Sequence, residues 1–307
     1  MRDVKLILHP QKAPTAVGGL LLLPPASKMI DGDAFPLYEK AIQALPDKAG
    51  DKQISEWLRM PVDRLPLDQV EKAVVDRTES LKAVNKAVRC RQCNWPQPSP
   101  AATVGRWYGY SRLARVVGLW AKLEIANGGY EGAILALQTG FGMTRHLGQA
   151  PSLILRQSAP GIGRHMCREV EELVQIEGAP NLSLALAGLS GLLGDIEKVL
   201  ADDKKDARSD QMRIFAKGYE THVAALECVE AIRSYAASHK GKLPGALTDI
   251  TEVSVPKDSI ADAPFRYALS GSTAVLEFSL PGGVFTKDGS EERVLMVNTR
   301  YEISIKN

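Results

Sequence analysis

Two cysteines three positions apart, Cys90 and Cys93, come closest in this sequence to a known chemical motif. Such a pair binds zinc when a second pair or nearby histidines complete four ligands, and the sequence has no second pair. A thioredoxin-type redox site would follow a strand and open a helix, whereas this pair ends a helical pattern and precedes Asn94-Trp95-Pro96. The sequence therefore favours a local disulfide or simple packing, with redox or metal chemistry as the alternative.

Other groups that could act in catalysis are dispersed along the chain. His165 and Cys167 are two residues apart, so on a helix they point to different faces and cannot pair. Gly161 and Gly163 lack the preceding strand and the third glycine of a dinucleotide-binding loop, and a helix break after Pro160 explains them. We therefore expect no catalytic, cofactor-binding or metal-binding residues. The alternative is an enzyme whose site is assembled from separated residues. Its candidates are a carboxylate and the histidines His146, His165 and His222.

An acidic segment near the C-terminus has the composition of a turn. Asp288, Glu291 and Glu292 could supply oxygen ligands to calcium. They lack the regular alternation of a dedicated calcium loop, so the sequence favours a solvated turn.

Four aromatic residues lie near the first helix of the clearest pattern in the chain. They are Trp107, Tyr108, Tyr110 and Trp120. Aromatic side chains are common anchors of protein interfaces, and no polar site converges near these four. We therefore predict that the exposed members of this set bind a protein partner.

That pattern is a helical hairpin at residues 108–151. Two amphipathic helices are joined by a Gly-Gly-Tyr turn and closed by Pro151. Small residues such as Ala133 and Gly140 on the second helix allow the two helices to approach closely. Helical hairpins of this kind usually bind other proteins, and we expect them to present a groove to a partner.

The sequence predicts an α+β fold that is mainly α. Prolines and glycines make residues 1–32 an extended segment. Residues 33–210 form a helical body, and residues 211–307 form a long helix followed by a small antiparallel β-meander that packs on it. The short connections leave no room for the crossover that parallel pairing requires. The predicted strands are 265–270, 273–280 and 293–305.

The overall composition excludes several classes of protein. The 307 residues include 45% hydrophobic and 24% charged residues, which is ordinary for a globular protein. The net charge of +2 and the scattered lysines and arginines argue against nucleic acid as a partner. No apolar run approaches the ~20 residues of a membrane span. The chain is expected to be cytoplasmic, unless an upstream signal or anchor places it on the periplasmic side of an envelope.

The hairpin resembles a tetratricopeptide repeat. Leu119-Trp120, Gly129-Tyr130, Ala133 and Pro151 fall roughly where that family has its aromatic, small and proline positions. Residues 35–46 resemble the second half of another repeat. No clean 34-residue period runs through the chain, and a generic helical bundle would give much of the same spacing. The resemblance implies a helical body that binds other proteins.

The C-terminal region resembles the globular part of type II secretion pseudopilins. The matching residues are a helix at 225–236, Gly241-Lys-Leu-Pro-Gly-Ala-Leu247, Val255-Pro-Lys-Asp258 and Pro264-Phe-Arg-Tyr267. Ser259 departs from the pattern, since that family has a second proline there. The transmembrane helix and processing site of a pilin are absent, so the resemblance implies a reused module and not a pilin subunit.

The combination of a helical body and such a module also resembles uncharacterised envelope-associated proteins of planctomycete-type bacteria, over residues 33–285. That resemblance implies an upstream export signal or anchor and no known activity. The leading hypothesis from sequence is a non-enzymatic scaffold or adaptor with a protein partner. The alternatives are a structural subunit of a self-associating filament or envelope assembly, and the dispersed-residue enzyme.

Overall fold

The computed structural model of the chain describes residues 1–14, 20–96, 100–193, 207–287 and 291–306. The strands are β1 (Arg2–Leu8), β2 (Ile30–Asp33), β3 (Cys90–Gln92), β4 (Lys257–Asp258), β5 (Ala263–Pro264), β6 (Arg266–Ser270), β7 (Thr273–Lys287) and β8 (Glu291–Ile305). The helices are α1 (Ala34–Gln43), α2 (Asp51–Trp57), α3 (Leu67–Val75), α4 (Thr78–Ala87), α5 (Pro100–Ala126), α6 (Tyr130–Gly148), α7 (Leu153–Leu173), α8 (Ser183–Ala187) and α9 (Ala207–Ser238). The predicted fold class, α+β and mainly α, is confirmed.

The chain divides into two compact units. Residues 21–173 form a helical unit, and residues 1–20 together with 174–307 form a sheet unit. This division differs from the predicted ranges 1–32, 33–210 and 211–307. The reason is long-range pairing of β1 with β8, which brings the start of the chain into the same sheet as its end.

The helical unit contains the predicted hairpin. Asp33 caps α1, where its Oδ1 accepts a hydrogen bond from the backbone N–H of Phe35 at 3.0 Å. Helices α5, α6 and α7 contact one another. Gly128 lies between α5 and α6 with φ +69°, a left-handed conformation that ends a helix readily when the residue is glycine. Helix α5 starts at Pro100 and not near residue 108, because proline is well accommodated in a first helical turn.

Several helices of the described chain have boundaries that local sequence signals leave open. Residues 67–87 form two helices, α3 and α4. Helix α7 runs through the buried Pro160, where a break had been predicted. Gly161 and Gly163 are therefore helical residues and not part of an anion-binding loop. Helix α8 ends at Ala187 and is followed by turns that include Gly191 at φ +73°, while residues 194–200 lie outside the described part.

The sheet unit has a four-stranded sheet in the order β1-β8-β7-β6. Strands β6, β7 and β8 form the predicted antiparallel meander, which packs on the long helix α9. Strand β1 adds a parallel fourth strand, and it lies within residues 1–32, for which the sequence predicted an extended segment and no sheet partner. The short connections within the meander allow only antiparallel pairing. Strands β1 and β8 can pair in parallel because they lie near opposite ends of the chain and are joined by a long connection.

Strand β1 joins the sheet because its side chains alternate. Val4, Leu6 and Leu8 face inward and pair along β8 with Tyr301, Ile303 and Ile305, whereas Asp3, Lys5 and Ile7 are exposed. One face of the strand is thus apolar and buries against the core, and the other is largely polar.

Two further expectations concern the membrane and calcium. Within the described ranges, no helix has both the length and the apolar character that crossing a membrane requires. Asp288 lies outside the described residues, as do the side chains of Glu291 and Glu292, so the predicted solvated turn stays a prediction.

The contact between α9 and β7 requires a glycine. A Cβ added at Gly218 would lie 2.3 Å from Cδ of Pro281, whose ring cannot rotate away. We expect Gly218→Ala to lower the free energy of unfolding of the sheet unit by about 1–3 kcal/mol, even though alanine favours helices. Gly161→Ala in α7 is the matched control, because open space surrounds its added Cβ, and it should stabilise by up to about 1 kcal/mol. Urea unfolding of both variants checks this, and a Gly218→Ala protein as stable as the native one would contradict the close contact.

Candidate functional site

Four aromatic rings of the helical unit meet in one place, which we call the aromatic cluster: Phe35 and Tyr38 of α1, Trp95, and Tyr110 of α5. The ring centroids of Trp95 lie 6.1 Å from Phe35, 6.2 Å from Tyr38 and 5.7 Å from Tyr110, and Tyr38 and Tyr110 are 5.5 Å apart. Tyr38 and Tyr110 are fully buried, whereas Phe35 and Trp95 are half-buried. The cluster therefore extends from the core of the unit to its surface.

Asp33 brings the cluster together. Phe35 and Tyr38 are three residues apart on α1 and share one face of that helix. Asp33 Oδ1 accepts a hydrogen bond from Phe35 N and a second from the backbone N–H of Asn94, at 2.8 Å. The residue that starts α1 thus also holds the segment that contains Trp95 against that helix. The short parallel bridge between β2 and β3 supports the same arrangement.

His146 of α6 forms a hydrogen bond with Tyr38. The Tyr38 hydroxyl lies 3.0 Å from His146 Nδ1, and His146 Nε2 lies 3.1 Å from the carbonyl oxygen of Cys90. A carbonyl only accepts, so Nε2 carries the proton and Nδ1 accepts from the tyrosine. Burial, together with the charge of Arg145, lowers the pKa of His146 to about 4. The imidazole is therefore neutral at pH 7 and both of its nitrogens are already bonded.

Three polar atoms at the cluster lack a hydrogen-bond partner among the described residues: Trp95 Nε1, Tyr110 Oη and Glu39 Oε1. All three atoms are buried. Arg106 Nε approaches Glu39 Oε1 only to 3.6 Å, and its guanidinium lies over the Phe35 ring at 5.0 Å. Since about nine in ten buried polar groups in native proteins are hydrogen-bonded, three such atoms in one place make the aromatic cluster the candidate binding site of the helical unit.

Cys90 and Cys93 lie next to this cluster as free thiols, and the local disulfide favoured from sequence stays a prediction. Cys90 opens β3 and Cys93 follows that strand. Burial raises the pKa of both thiols, and the nearby Asp33 raises both further. They are therefore protonated at neutral pH, and a protonated thiol is a poor nucleophile and metal ligand.

The four aromatic residues predicted to bind a partner do not form one surface. Only Tyr110 belongs to the aromatic cluster. Trp107 lies three residues earlier in the chain and is 41% exposed. The Tyr108 hydroxyl donates to Asp51 at 3.1 Å. Trp120 donates to Glu124 at 3.1 Å and lies ten residues from Tyr110, about 15 Å along α5.

Sequence reasoning missed three of the four rings in the cluster. Phe35 and Tyr38 were noted only as part of a repeat-like helix, and Trp95 only as a residue after the cysteine pair. The helical spacing of Phe35 and Tyr38 was a usable signal for a shared face. Nothing in the sequence predicted that Asp33 would bring Trp95 to that face.

A second polar group lies between α5 and α7. Lys122 is 2% exposed; its Nζ lies 3.6 Å from Glu172 Oε1 and 3.5 Å from the carbonyl oxygen of Leu58. Burial raises the pKa of Glu169 to about 8. Burial, followed by the charges of Arg168 and other nearby cations, lowers the pKa of His165 to about 3. The group thus holds a protonated acid and a neutral histidine at pH 7.

The three histidines of the enzyme alternative have different surroundings. His146 contacts Tyr38, while the ring of His165 lies against Gly118, where an added Cβ would be 2.2 Å from Nε2. His222 belongs to the sheet unit and lies 6.4 Å from the Phe278 ring. Over the described residues, no group of three His, Cys, Asp or Glu side chains is placed to hold a metal ion.

Comparison with known proteins found no match: no protein-family profile, no curated protein and no solved structure is similar to this chain. The tetratricopeptide and pseudopilin resemblances therefore stay predictions from sequence. What the protein does has to be argued from its own residues.

Proposed function

We propose that this protein is a non-enzymatic scaffold or adaptor whose helical unit binds a polypeptide segment of a partner protein at the aromatic cluster. The observation that supports this proposal is the set of three buried atoms without a hydrogen bond, Trp95 Nε1, Tyr110 Oη and Glu39 Oε1, next to half-buried aromatic rings.

A polypeptide fits these atoms better than a simple ion does. The indole N–H of Trp95 needs an acceptor, the Glu39 carboxylate needs a donor, and the Tyr110 hydroxyl can take either role. Every peptide unit offers both a C=O and an N–H. The rings of Phe35 and Trp95 provide apolar contact area, and buried aromatic residues are frequent hot spots of protein interfaces.

The chemistry of the surrounding groups also favours binding over catalysis. His146 is neutral with both nitrogens bonded, and the thiols of Cys90 and Cys93 are protonated. None of them is prepared to transfer a proton or attack a substrate at neutral pH. Helices α1, α5 and α6 position the side chains of the cluster, so a partner would dock on regular secondary structure.

The proposal predicts that two variants that keep an aromatic ring weaken binding of the partner. Tyr110→Phe removes only the hydroxyl, whereas Trp95→Phe removes the indole N–H together with part of the ring. Each variant should weaken binding about three- to tenfold, because this factor corresponds to the net free energy of one hydrogen bond. The double variant should weaken binding about ten- to a hundredfold. Because Tyr110 Oη has no hydrogen-bond partner within the described chain, the free energy of unfolding of Tyr110→Phe should stay the same or rise, whereas Trp95→Phe should lower it through the lost ring contacts.

Crosslinked pull-downs from native cells, quantified by mass spectrometry, measure this loss for each variant against the unchanged protein. Trp107→Ala is the control, because Trp107 is exposed and lies outside the cluster. Loss of one stoichiometric partner with the Phe variants and its retention with Trp107→Ala supports the proposal. The opposite pattern would move the interface to the exposed surface of α5, and equal recovery with all variants would refute binding at the cluster.

A further inference from the structure

Strand β6 leaves one edge of the four-stranded sheet open. The strand order β1-β8-β7-β6 puts β6 at one end, where β7 is its single strand neighbour among the described residues. Most residues of β6 are exposed, and Leu269 is 38% exposed although its side chain is apolar. An open edge presents backbone N–H and C=O groups without partners, and it pairs readily with another strand. The proposed scaffold function in the helical unit does not use this edge.

The hairpin turn determines which residues of β6 point their backbone groups outward. A turn of two residues joins β6 to β7, and the residues on either side of such a turn form a hydrogen-bonded pair. Bonded pairs then alternate along antiparallel strands. Counting back from the turn, Ser270, Ala268 and Arg266 bond to β7. The N–H and C=O groups of the two residues between them, Tyr267 and Leu269, therefore face the open edge.

The outward groups have no partner within the described chain. Beyond the pairing with β7, the residues of β6 make one hydrogen bond among the described residues, from the Tyr267 hydroxyl to the carbonyl oxygen of Pro244 at 2.7 Å. Tyr267 pairs with the buried Leu276, so this bond fixes the tyrosine ring on the buried face of the sheet. The backbone edge is left for a neighbouring strand, which would offer a C=O and an N–H at each residue.

The opposite edge of the sheet is protected against pairing. Strand β1 has the exposed charges Asp3 and Lys5, and the backbone N–H of Ile7 donates to Gln175 Oε1 at 3.2 Å. Charged side chains, lysine above all, are a common means by which proteins prevent edge-to-edge pairing. Strand β6 has no lysine, and its one charged residue, Arg266, lies at its start. Of the two edges, β6 is therefore the one suited to an additional strand.

The sequence of β6 is complementary to a second copy of itself. Two identical strands that pair about a two-fold axis run antiparallel. With Ala268 on the axis, Tyr267 faces Leu269 of the second copy, and every outward group within β6 has a partner. These two side chains form an apolar cross-strand pair that extends the buried face of the sheet. Arg266 faces the uncharged Ser270, and the small Ala268 faces itself at a closely spaced pair.

We propose that a second copy of this chain docks on β6, so that the two sheets join into one across a two-fold axis at Ala268. The contact is small, since each copy contributes five residues, and we expect a reversible dimer with a dissociation constant of roughly 10–100 μM. The proposal is independent of the aromatic cluster in the helical unit, so either can fail without the other.

Amide hydrogen exchange of the full chain tests the edge directly. The amides of Arg266 and Ala268 bond to β7 and should exchange slowly at any concentration. Those of Tyr267 and Leu269 should exchange fast at about 1 μM chain and about five- to fifteenfold more slowly at about 1 mM, where most of the chain is dimeric. Sedimentation velocity over the same range should show the matching change from monomer to dimer.

Residue 268 provides a test that is specific to a second copy in this register. Ala268→Lys and Ala268→Glu each place two like charges opposite each other on the axis, and each should weaken self-association about fivefold. An equimolar mixture of the two variants should recover the dimer, because lysine then faces glutamate. Ile7→Lys is the control, since Ile7 is 50% exposed on β1 at the opposite edge, and this variant should associate like the native chain.

Four results would overturn the proposal. The first three are a chain that stays monomeric at millimolar concentration, a dimer in which the amides of Tyr267 and Leu269 still exchange fast, and a Lys–Glu mixture that associates no better than either variant alone. The fourth is slow exchange of both amides in the monomer, which would mean that the chain itself covers the edge. Because Ala268 is exposed, its variants should fold, and their amide spectra are compared with the native spectrum before these measurements.

Discussion

Replacing Arg233 with methionine is expected to lower the free energy of unfolding of the sheet unit by about 3–5 kcal/mol. Arg233 and Glu230 are fully buried on α9, and Arg233 Nη1 lies 2.9 and 3.0 Å from the two carboxylate oxygens. The methionine variant keeps the volume of the side chain but leaves the Glu230 carboxylate buried without its counter-charge. Removing one member of a buried ion pair lowers the free energy of unfolding by more than the intact pair adds to it.

Arg233 also joins segments that are far apart in sequence. Its Nε donates to the carbonyl oxygen of His9 at 3.1 Å, and its Nη2 donates to that of Ala179 at 2.9 Å. Asn181 adds bonds from its Nδ2 to the carbonyl oxygens of Gln11 and Glu230. The substitution therefore also leaves backbone acceptors near β1 without donors, and we expect the start of the chain to detach first.

Urea unfolding by circular dichroism and by tryptophan fluorescence measures the effect, because circular dichroism reports the helices of both units and tryptophan fluorescence reports the helical unit. All four tryptophans lie in the helical unit, at positions 57, 95, 107 and 120. The transition seen by circular dichroism should therefore shift for the sheet unit, while the fluorescence transition stays in place. The double variant Glu230→Gln with Arg233→Met is the control and should recover much of the loss, since no buried charge is left. A loss below about 1 kcal/mol in the single variant would contradict the argument.

Local sequence signals predicted the elements of this fold well. The hairpin turn, the long α9 and the antiparallel meander were all predicted, and Asp33, a residue type that favours helix N-caps, caps the first helix. Each of these depends on residues close together in the chain: a capping side chain, a glycine after a helix, or alternating side chains on either side of a tight turn.

The misses share a different physical cause. The pairing of β1 with β8, the continuity of α7 through Pro160 and the network around Arg233 all depend on contacts between distant residues. Tertiary packing of this kind overrides local preference, and it leaves no periodic trace in the sequence. The aromatic cluster was missed for the same reason, because Trp95 meets α1 only through the bond from Asn94 to Asp33.

Glu169→Gln is expected to stabilise the helical unit. The gain in its free energy of unfolding should grow with pH. Burial raises the pKa of this carboxyl from its ordinary 4.5 to about 8, although the nearby Lys122 lowers it somewhat. Between pH 4.5 and 8 the unfolded chain gives up this proton and the folded chain keeps it, so ionisation favours unfolding. The destabilisation is absent below pH 4.5 and complete above pH 8, where it reaches on the order of 3–5 kcal/mol.

Urea unfolding at pH 5 and pH 8, followed by tryptophan fluorescence, tests the sign and the size. The glutamine variant should be close to the native protein at pH 5 and more stable by several kcal/mol at pH 8. Glu79→Gln is the matched control, because Glu79 is 68% exposed on α4 and pairs only with Lys82 there, so its effect should be small at both pH values. If Glu169→Gln changes stability equally at pH 5 and pH 8, the folded protein holds Glu169 ionised at neutral pH, and the buried Lys122 is its counter-ion.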